Sequence, residues 1–560
     1  MNNQSLSLSG PAQYEQDTLD SAGPDSDAST QPPVDDGAPG KRISSFWLNR
    51  FIEAGLITSM ALYYIVGNQN LGMNPFSQVN PLFSLPFLLL FAVLCWYRLP
   101  IALALLPLSL PYYLLQKTVL RIAPNHNVSF SLAEITLGVC VLVALVQLFR
   151  QRRKWPYWLA WRELQDRAGP FLIPILVFFA VAAFSIVIAY NKVFALRAFR
   201  EEVLDPLVYL FLALCCLRSR GDIRRLLGAL LASGLIVAVL GVIQFHFFKS
   251  TLVLESDGIR RVHVMYGSAN GIGLFFDYVL PIGLALAGAR FVWHGVASWW
   301  WRLLVIGLCL PLFYVLYLSQ SMGAWMAIGV AVLFIGASSI HNRKVLLISS
   351  ASLAVVLGIA LFFYHTRILN LVFATHVDVH HVSTVTKRIY LWQTALNMIH
   401  DRPWFGYGMD NWLCYYSKNL TCPTPSNWHY LINVDPVTHI STDLRYEPYL
   451  SHPHNVLLHI WVSMGIFGVL AFVAILALFF WLFVRILRYL RANESSKNLS
   501  LRWMTLGVGT AMLAAMTQGL GDSAFLEQDL AFCFWILIAA MLVLRKLSGT
   551  PWRGKIVIKS

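Results

Sequence analysis

Long apolar runs alternate with short polar connections over most of the 560-residue chain. An apolar run of about 17–25 residues crosses a bilayer as a helix, because a helix satisfies its own backbone hydrogen bonds where no water is present. The pattern predicts about fourteen such spans. They lie near 46–66, 82–97, 99–115, 131–149, 170–190, 205–217, 225–246, 269–289, 302–318, 323–340, 344–363, 457–484, 502–520 and 529–544. We therefore expect an all-α, polytopic integral membrane helical bundle of about 12–14 transmembrane helices.

Two long polar stretches stand apart from these runs. Residues 1–44 are rich in Ser, Asp, Gly and Pro, and such a composition predicts a disordered tail. Residues 365–455 hold Trp, Tyr, Gly and Pro at a density typical of a folded lid, so we expect one large loop domain there. The first apolar run begins near Phe46 without a small-residue cleavage site after it, which favours an uncleaved anchor over a signal peptide.

These boundaries divide the chain into four predicted regions. They are a cytoplasmic tail at 1–44, N-terminal transmembrane helices at 45–224, a core at 225–490 that includes loop 365–455, and C-terminal transmembrane helices with a cytoplasmic tail at 491–560.

Composition and charge agree with a membrane protein. The chain is 57% hydrophobic and only 12% charged, unlike an ordinary soluble domain. If the N-terminus is cytoplasmic, alternation of the spans places most of the 42 Lys and Arg residues inside, which explains the net charge of +14 without a nucleic-acid partner. The chain lacks a Walker-type glycine loop, which argues against a primary pump. We expect both termini to be cytoplasmic and the large loop to lie on the opposite side of the membrane.

Two of the eight cysteines differ from the rest. Six lie in or beside predicted spans, whereas Cys414 and Cys422 lie in the large loop, which this topology places in an oxidising compartment. A disulfide between them is a candidate, but spacing alone leaves a bridge and two free thiols both open. No cysteine pair has zinc-ligand spacing with nearby histidines, and we expect no metal.

Arg260 and Arg261 precede a run of small residues, 267–273, that opens a predicted helix and contains Asn270. Guanidinium groups match phosphate oxygens, and a helix N-terminus adds backbone donors, so this stretch is a candidate anion-binding site. The alternative is that both arginines reach toward lipid headgroups.

Arg388 begins a predicted loop helix, and Trp392 lies four residues later on the same face. This helix leads into the segment Asp401-Arg402-Pro403-Trp404-Phe405-Gly406-Tyr407-Gly408. The alternative for Arg388 is a solvated loop residue.

The strongest candidate for chemistry is His452-Pro453-His454-Asn455 at the outer end of a predicted span. An imidazole titrates near neutral pH and can accept a proton from a sugar hydroxyl. Asn455 is suited to fixing the ring or binding a sugar. A histidine near a helix start is more often a cap or an interface residue, and that alternative stays open.

Together these motifs resemble the O-antigen ligase and O-antigen polymerase superfamily of integral membrane glycosyltransferases. The similarity covers roughly residues 225–490 and is carried by residues 267–271, the Ser319-Gln320-Ser321-Met322-Gly323-Ala324-Trp325 turn, Arg388 with the segment that follows it, and His454-Asn455 with Gly465-Ile466-Phe467-Gly468. It departs from the pattern at Met322 and Ser463, where many members have an arginine and an acidic residue.

The resemblance implies an inverting, metal-independent transfer of a glycan from an undecaprenyl-diphosphate carrier to an acceptor hydroxyl, with no cofactor. It makes His454 the general base and Arg388 a catalytic clamp on the diphosphate, helped by Arg260 or Arg261. Asn270, Trp392, His452 and Asn455 are the further substrate-binding candidates. The implied partners are a lipid-linked oligosaccharide donor and a glycan or lipid acceptor. The implied location is the bacterial inner membrane, with a periplasmic active site.

Alternatives to this function remain. The superfamily includes ligases, polymerases and protein O-oligosaccharyltransferases, and its motifs do not choose among them. A membrane transporter, similar to bicarbonate-uptake proteins, is the alternative from another class, and it should place ionisable groups at mid-membrane. Asp277 and Glu134 are the residues that bear on it.

Overall fold

The computed structural model describes residues 39–71, 76, 79–123, 126–150, 161–254, 260–288, 292–293, 296–297, 299–339, 384–416, 452–493, 495–523, 525 and 527–553. The chain divides into two compact units, residues 1–51 and 52–560. The described part of the first unit is the opening of helix α1. The predicted tail at 1–44 lies mostly outside the described residues, as do the span at 344–363 and much of the loop at 365–455.

The described residues are almost entirely helical. The helices of the N-terminal half are α1 Pro39–Ile65, α2 Leu85–Leu105, α3 Leu132–Arg150, α4 Trp161–Ala168, α5 Leu172–Ile188, α6 Lys192–Ala198, α7 Asp205–Cys216, α8 Arg220–Phe247 and α9 Ala269–Gly288. A π-helical turn, Phe199–Leu204, joins α6 to α7.

The helices of the C-terminal half are α10 Trp299–Ser319, α11 Met322–Ser339, α12 Thr384–Asp401, α13 Trp412–Tyr416, α14 Val456–Ala492, α15 Ser496–Gly519 and α16 Gln528–Ser548. Three small antiparallel hairpins pair β1 Lys117–Ala123 with β2 His126–Phe130, β3 Val253–Leu254 with β4 Arg260–Arg261, and β5 Val292–Trp293 with β6 Val296–Ala297.

Nine helical segments in the described ranges are long and apolar enough to span a membrane. They are Pro81–Tyr112, Leu132–Arg150, Arg162–Ile188, Arg220–Phe247, Ala269–Gly288, Trp299–Ser319, Val456–Ala492, Asn498–Gly519 and Gln528–Ser548. The many exposed apolar side chains on these helices are suited to lipid contact. The protein is therefore a polytopic helical membrane protein, as the hydrophobic pattern predicts.

Several predicted spans differ in the structure, and the helices at the predicted spans 46–66 and 323–340, α1 and α11, are not among these nine. The runs at 82–97 and 99–115 form a single helical segment, Pro81–Tyr112, that is kinked. The kink lies at Arg98, whose backbone is non-helical, and Pro100 follows two residues later. The run at 205–217 forms α7, which has 12 residues. At 1.5 Å per residue such a helix covers about 18 Å, short of a hydrocarbon core of about 30 Å.

Helix α9 lies at the centre of the described bundle. It packs most extensively against α15 and α10, with α11 also in contact. Close approach to α11 requires a small residue, since a Cβ placed on Gly273 would lie 2.7 Å from the Ser321 hydroxyl oxygen. The turn at 319–325 thus brings two helices together.

Helix α14 is broken at Gly465, whose φ of 68° lies in the left-handed region. The segment 403–408 docks into this break. The Tyr407 and Gly408 amides donate to the carbonyls of Val462 and Ser463, and the Ile466 amide donates to the carbonyl of Pro403. These bonds replace helical ones that the break removes. Two of the sequence motifs, 401–408 and 465–468, are therefore one structural unit.

Candidate active site

His454 lies immediately before α14, in a loop conformation that its neighbours fix. Its φ is 49°, in the left-handed region where histidine is uncommon. The Trp392 indole on α12 donates a hydrogen bond to the carbonyl of His454 at 3.3 Å. Such a backbone persists only when its surroundings hold it, and conformations of this kind often occur at functional sites.

Asn455 caps α14. Its side-chain oxygen accepts from the amides of Leu457 and Leu458, and its side-chain nitrogen donates to the carbonyl of Leu520 at 2.9 Å. Asn455 therefore starts the helix and ties the loop after α15 to the histidine segment. Its predicted contact with a sugar stays a prediction.

The loop between α15 and α16 supplies a residue that the sequence did not single out. Asp522 is buried, and its Oδ1 lies 2.7 Å from His454 Nδ1 and 3.6 Å from His452 Nε2. The Ser523 amide donates to the same oxygen at 2.8 Å. Burial would raise the pKa of Asp522, but the two imidazoles outweigh burial and hold this pKa well below its usual range. The carboxylate is therefore ionised.

One signal in the sequence points to Asp522. The segment Gly519-Leu520-Gly521-Asp522-Ser523 forms a polar break between two predicted spans, on the same predicted side as His454. A carboxylate in such a short connection is a candidate partner for an imidazole across the bundle.

Arg388 approaches the same carboxylate from α12. Its guanidinium lies 3.6 Å from Asp522 Oδ2, so Arg388 and His454 share one anionic partner. Within the part of the chain that the structure describes, Arg388 Nε and Asp522 Oδ2 are buried and have no hydrogen-bond partner. A buried guanidinium nitrogen without a partner is suited to an incoming anion.

Three histidine rings lie together beside this carboxylate. The rings of His452 and His454 have centroids 4.6 Å apart, and those of His452 and His459 are 5.6 Å apart and nearly parallel. His459 Nδ1 lies 2.8 Å from the Ser523 hydroxyl oxygen. His452 thus contacts both His454 and His459, and the third ring was not part of the sequence prediction.

Arg261 and Asn270 form a second polar group. Arg261 donates to the Asn270 side-chain oxygen at 2.9 Å and to the carbonyl of Ser319 at 2.7 Å, while Arg260 is exposed. Arg261 is thereby held between Asn270 and the end of α10. Arg388 and His454, in contrast, both contact Asp522. The prediction that all these arginines line one site stays a prediction.

His452, His454 and Asp522 place nitrogen and oxygen atoms within 4.8 Å of one another, close enough to hold a metal ion. Ligand atoms around a tetrahedral zinc ion lie about 3.3 Å apart, given zinc–nitrogen bonds of about 2.0 Å. The 2.7 Å separation between His454 and Asp522 is instead that of a hydrogen bond. Arg388 also already supplies positive charge to the other oxygen. The geometry favours an imidazole–carboxylate pair, and the expected absence of a metal stays a prediction.

Cys414 lies on α13, fully buried, and is disulfide-bonded. The described cysteines other than Cys414 are free. Cys422, its predicted partner, lies outside the described residues.

The comparisons with known proteins agree with the motifs. The family model described as O-antigen ligase matches residues 307–473. The match includes Arg388, Trp392 and His454, whereas Arg261 and Asp522 lie outside it. No curated protein matches the chain.

Proposed function

We propose that this polytopic membrane protein, which matches the O-antigen ligase family model over residues 307–473, transfers a glycan from an undecaprenyl-diphosphate carrier to an acceptor hydroxyl at the periplasmic face. The observation that carries the proposal is the shared carboxylate. Asp522 holds the imidazole of His454 on one oxygen and attracts the guanidinium of Arg388 on the other.

The hydrogen bond to Asp522 determines which nitrogen of His454 can act as the base. A carboxylate only accepts hydrogen bonds, so Nδ1 carries the proton toward Asp522 and Nε2 keeps its lone pair. Nε2 then takes the proton of the acceptor hydroxyl while the acceptor oxygen bonds to the anomeric carbon. Asp522 stabilises the imidazolium that forms.

Arg388 serves the leaving group in this proposal. As the bond from the anomeric carbon to the diphosphate oxygen breaks, the electron pair stays on the diphosphate, where negative charge increases. A fixed guanidinium in a partly buried site stabilises that charge without any rearrangement. Attack opposite the leaving group inverts the anomeric centre. We include Arg260 and Arg261 as further contacts to the donor, with Asn270 orienting Arg261.

A transfer assay with purified protein and an undecaprenyl-diphosphate glycan tests this function. A ladder of products would indicate a polymerase, and a single shift in acceptor size would indicate a ligase. We expect Arg388→Ala to lower the transfer rate about 10²-fold or more, and Arg388→Lys to restore only part of it, because lysine lacks the forked geometry. Equal rates in wild type and both variants would contradict the clamp.

One observation favours the transporter as a second candidate. Asp277 on α9 is fully buried, and among the described residues neither of its carboxylate oxygens has a hydrogen-bond partner. Glu134, by contrast, caps α3 through Ser131 and pairs with Arg200 at 2.9 Å. A transporter requires that Asp277→Asn abolish solute uptake into proteoliposomes, whereas a glycosyltransferase requires no uptake from either protein.

A further inference from the structure

A small pocket lies beside the histidine cluster, separate from the Asp522 carboxylate. It encloses a cavity of about 40 Å³ and is lined by Glu202, Met409, Asp410, His452, His459, Ser463 and Glu527. His452 and His459 thus face the pocket on one side, and His452 approaches Asp522 on the other. The pocket is adjacent to the proposed base.

Three carboxylates from three separate segments line this pocket. Asp410 pairs with the exposed Arg197 at 3.0 Å, and Glu527 accepts a hydrogen bond from the neutral Tyr113 hydroxyl at 2.9 Å. Glu202 makes no hydrogen bond or ion pair with any residue that the structure describes. The cation that acts on Glu202 is Arg197, which is already paired with Asp410, whereas Asp410, Glu201 and Glu527 all bring negative charge near Glu202.

Burial and neighbouring negative charge affect these groups. Burial raises the pKa of Glu202 well above its usual value, and the charges of Asp410 and Glu201 raise it further. Burial also raises the pKa of Glu527, despite the opposing effect of His452. A positively charged ligand would therefore stabilise the ionised form of both carboxyl groups.

Two further polar groups on α14 line the pocket and are almost completely buried. Ser463 is 2% exposed, and its hydroxyl makes no hydrogen bond with another described residue. His459 is 6% exposed and uses Nδ1 for Ser523, so within the described ranges its Nε2 has no partner. Buried polar atoms are normally hydrogen-bonded, so unmatched ones that line a cavity indicate that something binds there.

We propose that this pocket binds the protonated amine of an amino sugar on the acceptor glycan and so positions the neighbouring hydroxyl at His454. An ammonium group donates three hydrogen bonds and supplies the positive charge that the carboxylates lack, whereas a hydroxyl supplies no charge. The cavity admits an ammonium group but not a sugar ring. This inference rests on the proposed glycosyltransferase function and names one chemical feature of its acceptor.

Binding of glucosamine to the detergent-purified full-length protein, measured by calorimetry, tests the pocket without requiring catalysis. N-acetylglucosamine is the matched neutral probe. We expect glucosamine to bind at least about tenfold more tightly than N-acetylglucosamine, because only the amine is charged. Glu202→Gln should remove this preference. Glu201→Gln is the matched control, since Glu201 pairs with Arg200 and does not line the pocket.

Each outcome decides the matter. Equal binding of the two sugars, no binding of either, or a preference that Glu202→Gln leaves intact would overturn the pocket assignment. Binding of Ca²⁺ or Mg²⁺ in place of the amine, lost in Glu202→Gln, would also overturn it. Glu527→Gln serves if Glu202→Gln does not fold, with the same loss expected, because it also removes a carboxylate from the lining.

The failure of this inference is distinguishable from that of the proposed function. His454→Ala should bind glucosamine as wild type does and yet transfer no glycan. Transfer that survives in His454→Ala would count against the proposed function, while loss of the amine preference in Glu202→Gln would still support the pocket.

Discussion

His454 is held by its backbone and its ring at the same time. Its left-handed backbone is flanked by the Asn455 cap and by the Trp392 hydrogen bond, and its Nδ1 is fixed by Asp522. A base held this way presents Nε2 in one direction. Fixed orientation of this kind lowers a barrier because it is established before the substrate binds.

Replacement of Asp522 should therefore impair the chemistry more than the fold. We expect Asp522→Asn to lower the transfer rate about 10²–10⁴-fold, because a neutral amide cannot stabilise the imidazolium. Asp401→Asn is the matched control, since the Asp401 side chain is 52% exposed and its partner is His400. Rates that fall equally in both variants would contradict a specific role for Asp522.

The depressed pKa of Asp522 leads to a prediction about stability. A carboxylate with a lowered folded-state pKa stabilises the fold above its unfolded pKa of about 3.9, and that stabilisation is lost only as pH falls through the folded value. The difference in thermal midpoint between wild type and Asp522→Asn should therefore not shrink as pH falls from about 8 to about 5. A difference that shrinks at the lower pH would show that Asp522 titrates in this range.

The sequence patterns singled out His454 and Arg388 as candidates but not Asp522. The two former residues stand in distinctive local patterns, beside Asn455 and Trp392 respectively. Asp522 is a candidate because it contacts His454, which lies 68 positions earlier in the chain. A single sequence does not contain that contact, because it depends on how α14 and α15 pack.

At the scale of elements, the broken helix α14 and the segment 403–408 form the support of the site. A Cβ on Gly465 would lie 2.1 Å from the Trp404 carbonyl oxygen, and one on Gly406 would lie 2.4 Å from the Val462 carbonyl oxygen. Both glycines also have positive φ. Each position therefore favours glycine for two reasons, the backbone conformation and the lack of space for a Cβ. The motifs predicted that these residues matter, but not that they touch.

Gly465→Ala should destabilise the protein by at least about 1–3 kcal/mol, because the new methyl group meets a backbone carbonyl and the backbone conformation is strained. Thermal unfolding in detergent measures this. Gly329→Ala on α11 is the control, since a Cβ there meets nothing within 4 Å. Equal thermal midpoints for the two variants would mean that the break in α14 is not under this constraint.

The hydrophobic pattern predicted where helices lie, but it did not predict where one helix continues through a kink. Apolar runs gave α8, α9 and α10 within a few residues, because a span needs a long apolar stretch. The kink at Arg98 joins two runs that the pattern separates. Side-chain hydrophobicity alone does not reveal whether a helix ends or bends at a proline.

For the whole molecule, the proposed topology places the site outside and the C-terminus inside. Single cysteines introduced at His400, 91% exposed, and at Arg553, also exposed, test this. We expect a membrane-impermeant maleimide to label His400→Cys in intact cells, and Arg553→Cys only after permeabilisation. Labelling of Arg553→Cys in intact cells would contradict the topology. The described native cysteines other than Cys414 are buried or partly buried, which keeps background low.

The most direct test of the whole account is glycan transfer by His454→Ala, measured beside His400→Ala in the same preparation. Both histidines belong to the predicted loop 365–455, but of the two only His454 contacts Asp522. We expect His454→Ala to fold and to lose transfer about 10²–10⁴-fold, and His400→Ala to transfer at the wild-type rate. A folded His454→Ala protein with the wild-type transfer rate would contradict the central claim that His454 is the base.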